Sequence, residues 1–159
     1  MEEPDWDAWT PKERAVLCFV RRGSRLLLIR KKLGLGAGKI TAPGGRIEPG
    51  ESAREAAVRE TVEETGVRPR DPALSGELFF QFKDGLALHC TVFLSSEGVG
   101  EAVETAEALP LWTEEASIPY AEMWADDALW MPWLLGGRPF RGFFLYDGER
   151  MESGRVESL

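Results

Sequence analysis

A chain of 159 residues, 43% hydrophobic and 29% charged, has the length and composition of one globular domain that buries its core without disulfides or a structural metal. Its net charge of −8 excludes a broad surface for nucleic-acid polymers, whose affinity rests on many Lys and Arg contacts to phosphates; a phosphate-bearing partner must be small and metal-bridged. No apolar run reaches spanning length and the acidic start MEEPD lacks the features of a secretory signal, so a cytoplasmic protein with no membrane partner is expected.

Residues 1–13 carry two prolines and no sustained period, and read as an extended arm whose Trp6 and Trp9 dock on the body. Two β-type runs follow, Ala15 to Val20 and Arg25 to Ile29, joined by a turn-like Arg-Arg-Gly-Ser. The next segment, LGLGAGKITAPGGRIEPGE, is a Gly- and Pro-rich loop with some extended structure. Its Gly38-Lys39 invites a phosphate-loop reading, but Leu33 stands at the first glycine position and Ile40 where Ser or Thr must ligate magnesium. Ser52 with Glu55 three residues later forms a capping box, and Gly66 supplies the stop of the helix between them.

Beyond the helix, Glu77 to Lys83 and Leu86 to Ser95 flank Asp84-Gly85, the signature of a hairpin. A Gly/Glu-rich loop leads to a short strand at Leu109 to Trp112, a helix over Ala125 to Leu135 and a closing strand over Phe140 to Tyr146. This mixed order suits an α/β sandwich of the α+β kind, with a domain at 14–148 between the arm and a C-terminal tail at 149–159. Cys18 and Cys90 lie in apolar runs and read as buried structural thiols, while the single histidine, His89, reads as a satisfied strand residue.

The chemistry concentrates in the first helix. Glu60 and Glu64 stand one turn apart with Glu63 adjacent, and like charges at that spacing repel by a few tenths of a kcal/mol per pair. A divalent cation would offset the cost: Mg²⁺, or Mn²⁺, takes oxygen ligands, keeps several waters and bridges few carboxylates to substrate phosphates. The competing reading is a solvated acidic face in which Arg54 and Arg59 supply ion pairs.

Spacing decides between them. Gly45, Glu51 and then Arg59-Glu60-Thr61-Val62-Glu63-Glu64-Thr65-Gly66-Val67 match G-x5-E-x7-R-E-U-x-E-E-x-G-U, with Thr61 departing from its aliphatic slot. The chain thereby resembles the Nudix hydrolases. The resemblance implies an α/β/α sandwich with a mixed sheet, and Mg²⁺-dependent hydrolysis of a nucleoside diphosphate linked to another group. It casts Glu60, Glu63 and Glu64 as metal ligands or base, the Gly44 carbonyl as a further ligand, and Arg59 and Glu51 as their support.

The likeness extends past the box. Lys31-Lys32-Leu-Gly-Leu-Gly-Ala-Gly-Lys39, Gly76-Glu-Leu-Phe-Phe-Gln-Phe82 and Ile118-Pro-Tyr-Ala-Glu-Met-Trp-Ala-Asp-Asp127 are similar to the mammalian-type MutT branch, which hydrolyses oxidised purine nucleoside triphosphates such as 8-oxo-dGTP to monophosphate and pyrophosphate. That resemblance implies that Trp124 stacks on the base, Asp126 and Asp127 read its edge, Phe80 lines the pocket, Lys31 belongs to the substrate-binding set and Glu107 is an additional metal ligand. A buried pair of adjacent aspartates tends to keep one proton, which suits an edge offering both donor and acceptor atoms. The plainer alternative makes Asp126 and Asp127 caps of the second helix and Trp124, Trp130 and Trp133 core residues. Thr41 stands where those relatives carry a base-reading asparagine, which leaves room for an ordinary dNTP or ADP-ribose as substrate. A nucleotide-binding module without catalysis is the alternative from another class, although every box glutamate is present. A monomer is expected, the Trp-bearing arm being the one candidate for a dimer contact.

Overall fold

The structure, a computed structural model, describes residues 2–159. In chain order the strands and helices are β1 Glu13–Arg22, β2 Arg25–Lys31, β3 Ile40–Thr41, β4 Gly44–Arg46, α1 Ala53–Thr65, β5 Arg68–Pro69, β6 Ala73–Phe82, β7 Ala87–Ser95, β8 Gly98–Val99, β9 Ala108–Glu114, α2 Asp127–Leu135, β10 Phe140–Asp147 and β11 Arg150–Ser158. The main sheet runs β11-β10-β6-β7-β1-β2-β3, with β4 also on β1 and β9 on β2. β1 lies parallel to β7 and β10 parallel to β6, while the other pairs are antiparallel.

One irregularity makes room for a ligand. Near its start β1 pairs with β4 through Ala15, Val16 and Leu17, whereas it meets β2 only at its far end, through Arg21 and Arg22. The sheet therefore splays between β4 and the β2-β3-β9 group, and the main cleft lies in the split, lined by Ala15 to Leu17 on one side and Ile29, Lys31 and Thr41 on the other.

Strand alternation gives each face its own core. On one face Val16, Cys18 and Phe93 pack against Ala56 and Ala57 of α1, small residues that let the helix approach the sheet. On the other, Phe19, Leu78, Phe140 and Phe144 pack against Trp130, Met131 and Leu134 of α2. The arm covers sheet that α1 does not reach: Trp6 lies 5.2 Å from Phe143 and Trp9 5.8 Å from Phe79, and the Trp9 indole donates to Gln81 Oε1 at 2.8 Å. Among the described residues no helix is long and apolar enough to cross a membrane.

Local signals behave as expected. Ser52 caps α1 in a complete capping box and Gly66 closes it in the left-handed region at φ 80°. The β6-β7 turn sits at Asp84-Gly85, where the Asp84 carboxylate accepts the Leu86 N–H. Cys18 and Cys90 are buried and unpaired, and burial pushes the Cys18 thiol up to about 11. His89 lies 3.5 Å from Glu77, with burial pulling its pKa down. The segment 149–159, expected as a tail, is corrected: β11 extends the sheet beyond β10. As an edge strand it turns only Met151 and Val156 inward, too few apolar positions for alternation to show in the sequence.

Candidate active site

At the Glu64 end of the cleft an acidic cluster is assembled from α1 and the loop entering β9. Glu60 and Glu64 lie one turn apart on the helix, and Glu107 comes from outside it; one carboxylate oxygen from each lies within 4.8 Å of the other two. Glu64 is 4% exposed and accepts the Gly44 N–H at 3.1 Å. Burial pushes its pKa up to about 8; the Glu60 hydrogen bond and the charges of Glu60 and Glu107 add to the rise, and the Gly44 N–H opposes it. Three oxygen-donor side chains crowded this closely suit a hard divalent cation, whose charge would remove the repulsion. Gly45 admits Glu60, since a Cβ there would stand 2.5 Å from the Glu60 carboxyl carbon.

Arg59 is the clamp of the box. Its Nε and Nη2 hold Glu51 at 2.7 and 2.9 Å, Nη2 also reaches the Arg46 carbonyl, and Nη1 reaches Glu60 at 2.8 Å. The bidentate pair holds the Glu51 carboxyl down to about 2. Glu51 and Arg59 thus tie the loop before α1 to the face bearing Glu60. Glu63 is not brought into the cluster; its half-exposed carboxylate lies 3.3 Å from Arg59. Thr61, the odd residue of the box, is fully buried with its hydroxyl donating to the Ala57 carbonyl one turn back, so it fills an apolar slot without an orphaned polar atom.

The same cleft continues to a second acidic group. Gly44, Glu64 and Lys31 line one end and Phe80, Trp124, Asp126 and Asp127 the other, with Thr41 of β3 also on the wall. Lys31 is half-buried, donates to the Leu35 carbonyl at 2.7 Å, and is pulled down in pKa by burial against the opposing pull of Glu64 and Glu60. Trp124 stands edge-on to Tyr146 at 5.2 Å and to Phe82 at 6.2 Å, with the Lys39 ammonium 5.2 Å from its centroid. Gly36 has no side chain where a Cβ would fall 2.6 Å from the Trp124 indole nitrogen, so the glycine-rich loop lies flat against that ring.

Asp126 and Asp127 are 2% and 5% exposed. The capping alternative is not met: Asp126 stands at the N-cap position of α2, but its side chain makes no cap hydrogen bond. Its carboxylate instead accepts the Trp130 indole N–H at 2.8 Å and the Tyr146 hydroxyl, which in turn accepts the Asp126 N–H at 3.1 Å. Burial raises the pKa of both aspartates. The two donors counter the rise at Asp126, whereas the Asp126 charge adds to it at Asp127. Two donors thus favour the charged form of Asp126, and that charge favours the protonated form of Asp127, an acceptor beside a donor. Trp130 is fully buried core, as the alternative had it, and doubles as half of the Asp126 clamp.

Sequence reasoning missed that clamp's other half. The Asp126–Trp130 contact follows from helical spacing, but Tyr146 lies in β10 and nothing local joins it to Asp126.

A family model described as NUDIX domain matches residues 11–134. The chain is 37% identical over 133 residues to the oxidized purine nucleoside triphosphate hydrolase of Danio rerio, covering 83% of this chain and 85% of that one. Similarity to the protein of the same name from Mus musculus is 34% over 134 residues, 84% and 86% of the two chains. Among solved structures, a MutT protein from Bacillus halodurans superposes with a TM-score of 0.77 at 27% identity, over 91% of this chain and 97% of that one. The mixed sheet between two helices is the α/β/α sandwich of these neighbours.

Proposed function

The chain belongs to the NUDIX family of hydrolases, and from that premise we propose that it is a Mg²⁺-dependent pyrophosphohydrolase that cleaves oxidised purine nucleoside triphosphates, 8-oxo-dGTP among them, to monophosphate and pyrophosphate. The observation that carries the substrate class is the continuity of one cleft from Glu64 and Lys31 to Trp124, Asp126 and Asp127, so that the triphosphate and the base of one ligand would share one groove. The names of the Danio rerio and Mus musculus relatives support the same class.

Glu60, Glu64 and Glu107 would hold the cation, Mg²⁺ or Mn²⁺, with Glu63 and the Gly44 carbonyl as further candidates by the box pattern. When bound, a divalent ion supplies charge neutralisation at the phosphates and acidification of water. Lys31 adds a fixed positive charge beside the phosphates, and Arg59 keeps Glu60 oriented through the anchor of Glu51. At the far end Trp124 offers an aromatic face to the base, Asp127 donates to an acceptor on its edge and Asp126 accepts from a donor. Phe80 closes the apolar wall. Because the base is read by two carboxyls rather than by an amide at Thr41, a purine edge presenting both a carbonyl oxygen and an N–H is the match. Cytoplasmic action as a monomer on the free nucleotide pool completes the reading.

Initial rates with Mg²⁺ at low, equal concentrations of 8-oxo-dGTP, 2-hydroxy-dATP, dGTP, dATP and ADP-ribose, with products separated chromatographically, test it. Preferential turnover of an oxidised purine to monophosphate and pyrophosphate is expected. A preference for ADP-ribose or the ordinary nucleotides would leave the hydrolase and overturn the base assignment. The shorter reach of Thr41 is the observation that favours this second reading.

A further inference from the structure

Glu107 poses a problem that the box does not solve. It belongs to a loop, is exposed, and faces Glu60 and Glu64, which repel it; something other than its own carboxylate must keep it near them. The hydrogen bonds converge on Thr105. Its hydroxyl donates to the main-chain carbonyl of Glu64 at 3.0 Å and accepts the N–H groups of Glu107 at 3.3 Å and Ala108 at 3.2 Å. The Glu64 carbonyl lies in the last turn of α1, where carbonyls lack an intrahelical partner, so Thr105 satisfies the helix end and the loop with one oxygen. Around it Lys32 closes a bracket: its N–H donates to the Glu107 carbonyl at 3.0 Å and its ammonium to the Thr105 carbonyl at 2.7 Å and to Glu104. Val103 N–H adds a bond to the Thr65 carbonyl at 2.9 Å.

We propose that Thr105 is the positioning residue of the metal site: its single hydroxyl spans the backbones of Glu64 and Glu107 and sets the separation of the loop carboxylate from the helix carboxylates. The proposal rests on the metal reading given above. It assigns a role to a residue outside the box and outside the cleft wall, and it makes metal affinity, rather than the chemical step, the property Thr105 controls. Groups that orient a ligand without touching the ion commonly change metal affinity by about 10–100-fold when removed. Thr105 is half-buried, so valine, of the same shape and lacking the hydroxyl, fits the site.

The test is direct titration of the full chain with Mn²⁺, following free ion by electron paramagnetic resonance, in wild type, Thr105→Val, Thr105→Ser, Glu60→Gln, Glu107→Gln and the Thr105→Val/Glu107→Gln double variant. Thr105→Val should weaken Mn²⁺ binding about tenfold or more, Thr105→Ser should stay within about twofold of wild type, and adding Thr105→Val to Glu107→Gln should cost little further, since both act through one ligand. Wild-type affinity in Thr105→Val, or full additivity in the double variant, overturns the proposal while the loss in Glu60→Gln keeps the metal site standing. Unchanged binding in Glu60→Gln and Glu107→Gln as well would remove the metal site, and the proposal with it.

Discussion

The two ends of the cleft both gather carboxyl groups, yet they manage the charge in opposite ways. At the α1 end Glu60, Glu64 and Glu107 face one another, and Gly44 N–H is the hydrogen bond to the buried member from outside the trio. At the α2 end Asp126 is clamped by Trp130 and Tyr146, and burial and the Asp126 charge push Asp127 toward its protonated form. A ligand that carries positive charge would relieve the repulsion in the first group; in the second, two donors from the protein already stabilise the charge on Asp126. Under the function proposed above, this difference in what neutralises them assigns the first group to metal binding and the second to edge recognition.

The largest expected effect breaks the α1 group alone. Glu64→Gln keeps the side-chain shape and removes the central anionic ligand, so kcat with Mg²⁺ should fall on the order of 10²–10⁴-fold. The far-ultraviolet circular dichroism spectrum should be unchanged, because Gly44 N–H can still donate to the amide oxygen. Turnover near wild type in that variant would remove Glu64 from the metal site.

The second expectation separates the groups by pH. With its folded pKa near 8 against an ordinary value of 4.5, Glu64 stabilises the metal-free protein fully below pH 4.5, and this stability is lost as pH rises through 8. The loss should be on the order of 2–4 kcal/mol, read as a falling thermal midpoint in the presence of a chelator. Excess Mg²⁺ should reverse it, because the ion displaces the proton and binds more tightly as pH rises. Asp127, raised in the same direction, contributes a loss of the same sign that Mg²⁺ does not rescue. Glu64→Gln should thus remove the metal-sensitive part and leave the rest. A metal-independent pH profile in the wild type would contradict the division between the two groups.

At the α2 end, aspartate-to-asparagine changes read the proton's position. Asn at 127 mimics a neutral, donating acid and should cost at most a few-fold in kcat/KM for the preferred purine. Asn at 126 turns an amide NH₂ toward either the Trp130 N–H or the Tyr146 hydroxyl, both of which donate to the carboxylate. It should cost about 1–3 kcal/mol of stability and on the order of tenfold or more in kcat/KM, with the metal requirement unmoved. The reverse order of the two variants would put the proton on Asp126.

The same contrast explains what could be read from the sequence. The metal group lies mostly within one helix and its preceding loop, so its parts are at fixed spacings and Glu60, Glu64, Arg59, Glu51 and Gly45 were legible together. The hairpin at Asp84-Gly85 announced itself through its turn residues and α1 through its capping box and terminal glycine. The recognition group is built by long-range packing: Asp126 and Trp130 share a helix, but Tyr146 arrives from β10, and no spacing encodes that meeting. Thr105 escaped for the same reason, its partner being a main-chain carbonyl 41 residues away. β11 escaped because an edge strand with one half-covered face needs few apolar residues.

The smallest effect is expected where the box departs from its own pattern. Thr61 lies on α1 between Glu60 and Glu64 in number but on its buried side, with its hydroxyl donating to the Ala57 carbonyl at 2.7 Å. That carbonyl remains in the helical ladder when the hydroxyl is removed, so Thr61→Val leaves no unsatisfied acceptor and replaces a polar atom by a methyl of nearly equal volume in an apolar contact. The buried Cys18 thiol loses its contact with the hydroxyl, a weak pairing for sulfur. The two changes oppose one another, and urea denaturation should move by less than about 1 kcal/mol, toward greater stability, with kcat/KM within twofold of wild type. A larger loss of stability would mean that the Cys18–Thr61 contact matters to how α1 seats on β1. A change in kcat without one would mean that the buried face of α1 steers Glu60 and Glu64 instead of only mounting them.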